Sequence, residues 1–279
     1  MLRVLEKENI PVDIIAGSSI GALVGALWAA GYHADELEEL AHSINRHNGF
    51  FKLIGLRDIS IAHRGFFKGN QVTRFMESYL GNKTFNDLKI PVKIVAANLF
   101  TSEGVVFEAG RVVDAIRASI SIPGIFRPLL YKGDYLIDGG VIDPLPVRVL
   151  AKMGVKKIIA VNVLSGSRDR VERMKLQEQN RLKKLEKMAQ KNLLNRWLVK
   201  LLDRVYDRYS INIFNVIMHT IQFMEYEMAE IWGKEADVLV HPIVYDGHWA
   251  EFYSPKKFIQ AGEEKMREQL AEVKRLLVE

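Results

Sequence analysis

Residues 12–32 read VDIIAGSSIGALVGALWAAGY, and this stretch decides the fold. The apolar run over 12–16 is typical of a buried strand, and it stops at Gly17-Ser18-Ser19-Ile20-Gly21. Helix-forming residues then follow without interruption over 22–30. A G-x-S-x-G pattern between a strand and a helix is the context that a nucleophile elbow requires. The sequence therefore predicts a strand, a sharp turn and a helix, with the hydroxyl of Ser19 held clear of the backbone.

The residues around Ser19 fit such an elbow. Gly17 and Gly21 lack the side chains that would collide where the strand and the helix approach each other. Ile20 opens the predicted helix, so free N–H groups and the positive end of the helix dipole would lie beside Ser19 and favour developing negative charge. Gly17, Ile20 and Gly21 are therefore predicted to support the elbow and the stabilisation of an oxyanion that forms beside Ser19.

The same stretch is open to two other interpretations. Residues 14–32 are 19 residues without a charge, and Gly17, Gly21 and Gly25 form a small-xxx-small pattern, as in a membrane-spanning helix. Six of these residues are Gly or Ser, so the run is only mildly hydrophobic and a helix through 17–19 is disfavoured. The second interpretation is a buried helix without chemistry. The elbow is preferred because it explains both glycines and the serine.

The bulk composition is that of an ordinary globular domain. The chain has 279 residues, of which 48% are apolar and 26% charged. It has no cysteine, which excludes disulfides, thiol catalysis and thiolate metal sites. The first residues are charged and carry no apolar signal-peptide region. These features predict a cytoplasmic protein.

The net charge of +5 is unevenly distributed. Between Arg168 and Arg208 there are 13 Lys/Arg and 6 Asp/Glu, a local charge of +7 that leaves −2 for the rest. This segment has no Gly or Pro, and its apolar residues from Leu193 to Val205 repeat at helical spacing. We expect a basic amphipathic helical insertion, either packed on its own domain as an arm or lying on an anionic membrane surface. Nucleic acid is a weaker alternative, because no binding motif is present.

Strand and helix patterns alternate along the first part of the chain. The predicted strands cover 12–16, 92–98, 104–108 and 157–163, with a hairpin over 129–137 and a last strand at 236–240. The predicted helices cover 2–8, 22–30, 34–45, 71–80, 112–119, 146–153, 215–230 and 255–277, and 49–69 is a loop with one short strand at 59–62. This alternation predicts an α/β fold with a mainly parallel sheet covered on both faces.

Several blocks in this order resemble the bacterial patatin-like phospholipases. They are the elbow at 17–21, the strand-turn-strand block at 97–107, the Pro-rich block SISIPGIFRP at 119–128, and Asp138-Gly139-Gly140. The resemblance covers most of 1–165 and 211–279. It implies a three-layer α/β/α fold with a catalytic core over 1–167, the basic insertion over 168–209, and the C-terminal part of the same core over 210–279.

The resemblance also implies a chemistry. Ser19 would be the nucleophile and Asp138 the general base of a Ser-Asp dyad, with Gly139, Gly140 and Pro123 as motif support. A carboxylate can activate serine if partial desolvation raises its basicity. The substrate would be a phospholipid or another acyl lipid, no metal or cofactor is implied, and peripheral membrane association is expected. Taken alone, Asp138-Gly139-Gly140 is more typical of a simple strand-ending turn, where Asp-Gly is common.

A histidine base is the alternative within serine chemistry. The order Ser, Asp, His of α/β-hydrolases would need His219, His241 or His248, of which His241 follows a predicted strand. The remaining histidines, at 33, 42, 47 and 63, show no metal-binding spacing.

One family feature is not in this sequence. The Gly-rich loop that supplies oxyanion N–H groups in the family precedes a helix resembling residues 2–8, and no Gly precedes Gly17 here. We expect a mis-set start codon to explain this. The alternative is a catalytically impaired, membrane-associating protein that keeps the fold without the oxyanion loop.

Overall fold

A computed structural model describes residues 1–46, 67–166, 213–242 and 255–278, together with Lys175 and Gln179. Apart from those two residues, the predicted basic insertion lies outside the described residues. So do the predicted strand at 59–62 and the histidines at 47, 63 and 248.

The secondary structure follows the sequence closely. The strands are β1 (Ile15–Ser18), β2 (Val92–Asn98), β3 (Gly104–Phe107), β4 (Leu129–Tyr131), β5 (Asp134–Asp138), β6 (Ile159–Val161) and β7 (Val238–Val240). The helices are α1 (Leu2–Lys7), α2 (Ile20–Ala29), α3 (Ala34–Arg46), α4 (Asn70–Leu80), α5 (Val112–Ser119), α6 (Val147–Lys152), α7 (Ile213–Gly233), α8 (Pro255–Glu268) and α9 (Leu270–Leu276). Short 3-10 turns occupy Phe85–Asp87 and Gly139–Val141. The predicted closing helix is divided at Gln269, which caps α9.

Strand β2 is the centre of the main sheet. Its residues 94–97 pair with β3, its first half, 92–95, pairs with β1, and its last three residues pair with β5. Strand β3 pairs with residues of β2 from both of these ranges, so it occupies one edge of β2 along both. Strands β1 and β5 must therefore lie on the opposite edge. They approach from opposite directions, so that Ser18 pairs with Val95 and Asp138 with Ala96. The ends of β1 and β5 therefore meet on one edge of β2.

The α/β class is confirmed, but the sheet is mixed rather than mainly parallel. In the main sheet β1–β2 is parallel, whereas β2–β3, β2–β5 and β4–β5 are antiparallel. Strands β6 and β7 form a separate two-stranded parallel sheet. The connection between β2 and β3 is too short for a parallel crossover, which needs a dozen or more residues. Strands β4 and β5 are joined by Lys132 and Gly133, both at positive φ, as in a two-residue hairpin turn.

Both faces of β2 are buried, as expected for a sheet with helices on each side. Ile94 and Ala96 pack into a core with residues of α2, α4 and α5, while Val95 and Ala97 on the other face are also buried. A second core joins α1 to β7, α8 and α9, and a third joins α6 and β6 to α7. The two ends of the described chain therefore pack on each other.

The uncharged stretch 14–32 does not form one long helix. It is divided between β1 and the ten-residue helix α2, which overturns the alternative of a membrane span there. Elsewhere in the described ranges, too, none of the helices has the length and apolar character needed to cross a membrane.

Candidate active site

Ser19 forms the sharp turn between β1 and α2. It is the N-cap of α2 and adopts φ 53° and ψ −121°, a conformation that a non-glycine residue rarely takes. Backbone strain of this kind costs on the order of 1–3 kcal/mol and persists only where the surroundings enforce it. The predicted elbow is thus present as a strained strand-to-helix turn, with Ile20 as the first residue of α2.

The structure brings Ser19 and Asp138 into direct contact. The hydroxyl of Ser19 donates a hydrogen bond to Oδ2 of Asp138 with a donor–acceptor distance of 2.6 Å. Oδ1 of the same carboxyl accepts the N–H of Gly140 at 2.7 Å. Each oxygen of Asp138 therefore has a partner among the described residues, and the carboxyl is oriented toward Ser19.

Burial makes this carboxyl more basic. Asp138 is only 3% exposed, and desolvation raises its pKa from 3.8 to about 6. The hydrogen bonds from Ser19 and Gly140 act in the opposite direction, but they are weaker than the effect of burial. A carboxyl with this pKa is ionised at neutral pH and can accept a proton from a bound hydroxyl.

Two glycines are required by close backbone contacts at this site. A Cβ on Gly17 would lie 2.6 Å from the carbonyl carbon of Gly21 and 2.7 Å from the nitrogen of Ala22. A Cβ on Gly139 would lie 2.1 Å from the carbonyl oxygen of Val95. Gly17 therefore permits the approach of strand and helix, and Gly139 permits the meeting of β5 and β2.

The expectation for Gly21 needs correction. A Cβ on Gly21 would meet nothing within 4 Å, because the residue lies on the exposed side of α2. Gly140 is intermediate: its Cβ would lie 3.0 Å from a carboxylate oxygen of Glu225 on α7 and 3.1 Å from Asp138 Oδ1. Pro123 lies in the turn after α5, where the N–H groups of Ile125 and Phe126 both bond to the carbonyl of Ile122.

Ser119 has a contact with the elbow that the sequence did not predict. The residue is fully buried, its hydroxyl accepts the N–H of Ser19 at 2.8 Å, and it donates to the carbonyl of Val95 at 2.6 Å. It belongs to the Pro-rich block, but nothing in the local pattern links it to a residue 100 positions earlier.

Histidines do not join the pair in the part of the chain that the structure describes. Nε2 of His241 lies 2.8 Å from the carbonyl oxygen of Leu164, and its ring packs near Tyr226. His219 is exposed on α7. The described ranges also contain no group of three His, Asp or Glu residues arranged to hold a metal ion.

A separate cavity of about 320 Å³ lies between β2, β3, α6 and α7. Its lining includes Lys93, Arg148, Trp232 and Asp143, but neither Ser19 nor Asp138. Burial raises the pKa of Asp143 to about 6 against the opposing effect of Arg148 and Lys152. Asp143 thus resembles Asp138 electrostatically, but its Oδ1 has no hydrogen-bond partner among the described residues, whereas Asp138 accepts the hydroxyl of Ser19. The hydrogen-bonded pair therefore marks the candidate site.

Comparison with known proteins identifies similar chains. A family model described as patatin-like phospholipase matches residues 1–151. An uncharacterized NTE family protein of Mycobacterium tuberculosis is 35% identical over 167 residues, which are 60% of this chain and 45% of that protein. Lysophospholipase NTE1 of Candida albicans is 34% identical over 160 residues, 57% of this chain and 11% of that protein. The chain thus spans less than half of the length of these curated relatives.

Among solved structures, VipD from Legionella pneumophila matches with a TM-score of 0.45 and 11% identity. The match covers 98% of this chain and 63% of that one.

Proposed function

The chain belongs to the patatin-like phospholipase family, and on that premise we propose that it hydrolyses carboxylic ester bonds of phospholipids or related acyl lipids. The observation that carries this proposal is the 2.6 Å hydrogen bond from the Ser19 hydroxyl to the buried carboxyl of Asp138. The name of the Candida relative, a lysophospholipase, supports the same substrate class.

In the first half of the reaction, Oγ of Ser19 attacks the carbonyl carbon of the ester while its proton moves to Oδ2 of Asp138. The tetrahedral intermediate collapses when the C–O bond to the alcohol breaks, and the alcohol leaves with the proton from Asp138. An acyl-Ser19 ester remains. Serine is a poor nucleophile without such a base, and the raised pKa of Asp138 suits it for this role.

In the second half, water attacks the acyl-Ser19 carbonyl and gives a proton to Asp138. The bond from the carbonyl carbon to Oγ then breaks, Ser19 recovers its proton, and the fatty acid leaves. In both halves negative charge develops on the carbonyl oxygen. Its nearest donors in the elbow would be the first N–H groups of α2, beginning with Ile20, at the positive end of the helix dipole.

We also propose that 1–167 and 210–279 form one catalytic core, with 168–209 as an insertion. Buried contacts between α1 and β7 and between α6 and α7 support the single core. The local charge of +7 in the insertion would favour an anionic lipid surface. Binding to anionic vesicles that weakens with salt is expected, and equal binding to neutral vesicles would contradict this part of the proposal.

A fluorophosphonate probe tests the enzymatic proposal directly, because it labels activated serines. We expect labelling of the full chain and hydrolysis of lysophosphatidylcholine, both lost in Ser19→Ala. Ser18→Ala is the matched control, since it removes the neighbouring hydroxyl and leaves Ser19 in place. Absence of labelling in the folded wild-type protein would instead favour a non-catalytic, membrane-associating protein.

A further inference from the structure

Ser119 links the elbow to the central strand of the sheet. It is the last residue of α5, it is 0% exposed, and its hydroxyl uses both its donor and an acceptor position. The acceptor position takes the N–H of Ser19 at 2.8 Å, and the donor reaches the carbonyl oxygen of Val95 at 2.6 Å. One side chain thus ties the strained peptide of Ser19 to β2.

The carbonyl oxygen of Val95, which accepts the Ser119 hydroxyl, lies where the ends of β1 and β5 meet on β2. Val95 pairs with Ser18 at the end of β1, and the backbone of Gly139, next to Asp138, packs against its carbonyl oxygen. Ser119 therefore anchors the elbow to the same point of the sheet that holds the segment of Asp138. Movement of Ser19 relative to this point would change the separation of its Oγ from Oδ2 of Asp138.

We infer that Ser119 is a positioning residue, which holds the peptide of Ser19 in its strained conformation so that Oγ faces Asp138. The inference rests on the proposed role of Ser19 as nucleophile. Ser119 is fully buried and bonds to the N–H of Ser19 rather than to its Oγ, so its effect passes through the backbone of Ser19. Without its hydroxyl, the partly buried N–H of Ser19 and the carbonyl of Val95 would lose a shared partner, and the elbow could relax toward an ordinary conformation.

The same contact limits which N–H groups can stabilise an oxyanion. While the N–H of Ser19 donates to Ser119, it is directed into the protein rather than toward a bound ester. The elbow's contribution must then begin with Ile20, the residue after the nucleophile, as in other enzymes built on this turn. Ser119 thereby separates the N–H that orients the nucleophile from those that face the substrate.

Ser119→Ala tests this inference in the full chain. We expect kcat to fall about 100-fold with KM changed less than threefold, because misplacement of a reacting group by about 1 Å costs about that factor. The acidic limb of the pH profile should also move to higher pH, since the Ser19 hydrogen bond lowers the pKa of Asp138 and would be weakened. A purely structural role for Ser119 would lower stability without shifting this limb.

Ser121→Ala is the matched control. Ser121 is equally buried in the same segment, but its hydroxyl accepts from Nη1 of Arg117 and donates to the carbonyl of Arg117. Its own carbonyl accepts the N–H of Asp138, a backbone contact that alanine keeps. We expect a loss of thermal stability similar to that of Ser119→Ala, with kcat reduced less than threefold. Equal losses of kcat in the two variants would overturn the inference.

A crystal structure of Ser119→Ala separates this inference from the proposed function. If the wild-type protein hydrolyses no ester, the proposed function fails, but the positioning role still predicts that Ser19 Oγ moves beyond 3.5 Å from Asp138. A separation that stays at the wild-type 2.6 Å in the variant would refute positioning by Ser119, whatever the activity.

Discussion

Ser19 and Asp138 are 119 positions apart in the chain, yet the hydroxyl of one donates a 2.6 Å hydrogen bond to the carboxyl of the other. The contact follows from the sheet: β1 and β5 occupy the same edge of β2, run toward each other and end at adjacent residues, Val95 and Ala96. Ser19 follows the end of β1, and Asp138 is the last residue of β5. The pair is therefore held by backbone pairing rather than by a mobile loop.

Asp138→Asn is expected to lower activity and raise stability at the same time. Loss of a general base costs about 10²–10⁴-fold in kcat. Because burial raises the pKa of Asp138 from 3.8 to about 6, the ionised carboxylate destabilises the folded state at neutral pH, by up to about 3 kcal/mol. Urea unfolding at pH 8 should show a higher free energy of unfolding for Asp138→Asn than for the wild-type protein.

The size of that gain in stability depends on pH. Well below the unfolded-state pKa of 3.8, the carboxyl is protonated in both the folded and unfolded states, so the two proteins should then be equally stable. A variant that is less stable than wild type at pH 8 would show that Asp138 contributes packing or hydrogen bonds that outweigh its desolvation.

The pH dependence of kcat/KM is expected to have an acidic limb near pH 6. Activity should rise with pH through the pKa of Asp138, because only the ionised carboxylate can accept the proton of Ser19. Asp143 is the matched control, since burial raises its pKa to the same value. Asp143→Asn should leave the limb in place; if it removes the limb, the titrating group is not Asp138.

The two glycines that flank the elbow are expected to differ sharply. Gly17→Ala forces a methyl group into the backbone of α2 at 2.6 Å and should destabilise the protein by about 3 kcal/mol or more. Gly21→Ala places its methyl group in open space and favours the helix, so stability should be retained or rise by up to about 1 kcal/mol. Thermal melts of both variants measure the difference, and equal losses would contradict the close approach at Gly17.

Ser18→Ala is expected to be neutral or stabilising. Oγ of Ser18 is buried and, among the residues that the structure describes, has no hydrogen-bond partner. Removing an unsatisfied buried hydroxyl avoids a desolvation cost on the order of 1 kcal/mol. The variant should unfold at the same or a higher urea concentration and keep its fluorophosphonate labelling. Loss of labelling would indicate that Ser18 takes part in the reaction.

Local patterns were sufficient to predict most of the secondary structure. β2 and α5 have the bounds expected from residues 92–98 and 112–119, and the turn at Lys132 and Gly133 lies where the hairpin was placed. The elbow was predicted because glycine spacing, an apolar strand and a helix-forming run all act over a few residues. The sequence alone left two possibilities for Asp138, a base or a strand-ending turn, and it suggested a mainly parallel sheet.

The strand-to-helix turn at Ser19 and the class of the fold were determined by the sequence itself, since backbone propensity and hydrophobic period are local properties. The family resemblance pointed to Asp138, but only the tertiary structure decided that its carboxyl meets Ser19 directly, that Ser119 holds the N–H of Ser19, and that Gly17 rather than Gly21 is sterically required. These outcomes depend on strand register along β2 and on burial among distant segments. Register and desolvation are set by the whole fold, so no short stretch of residues encodes them.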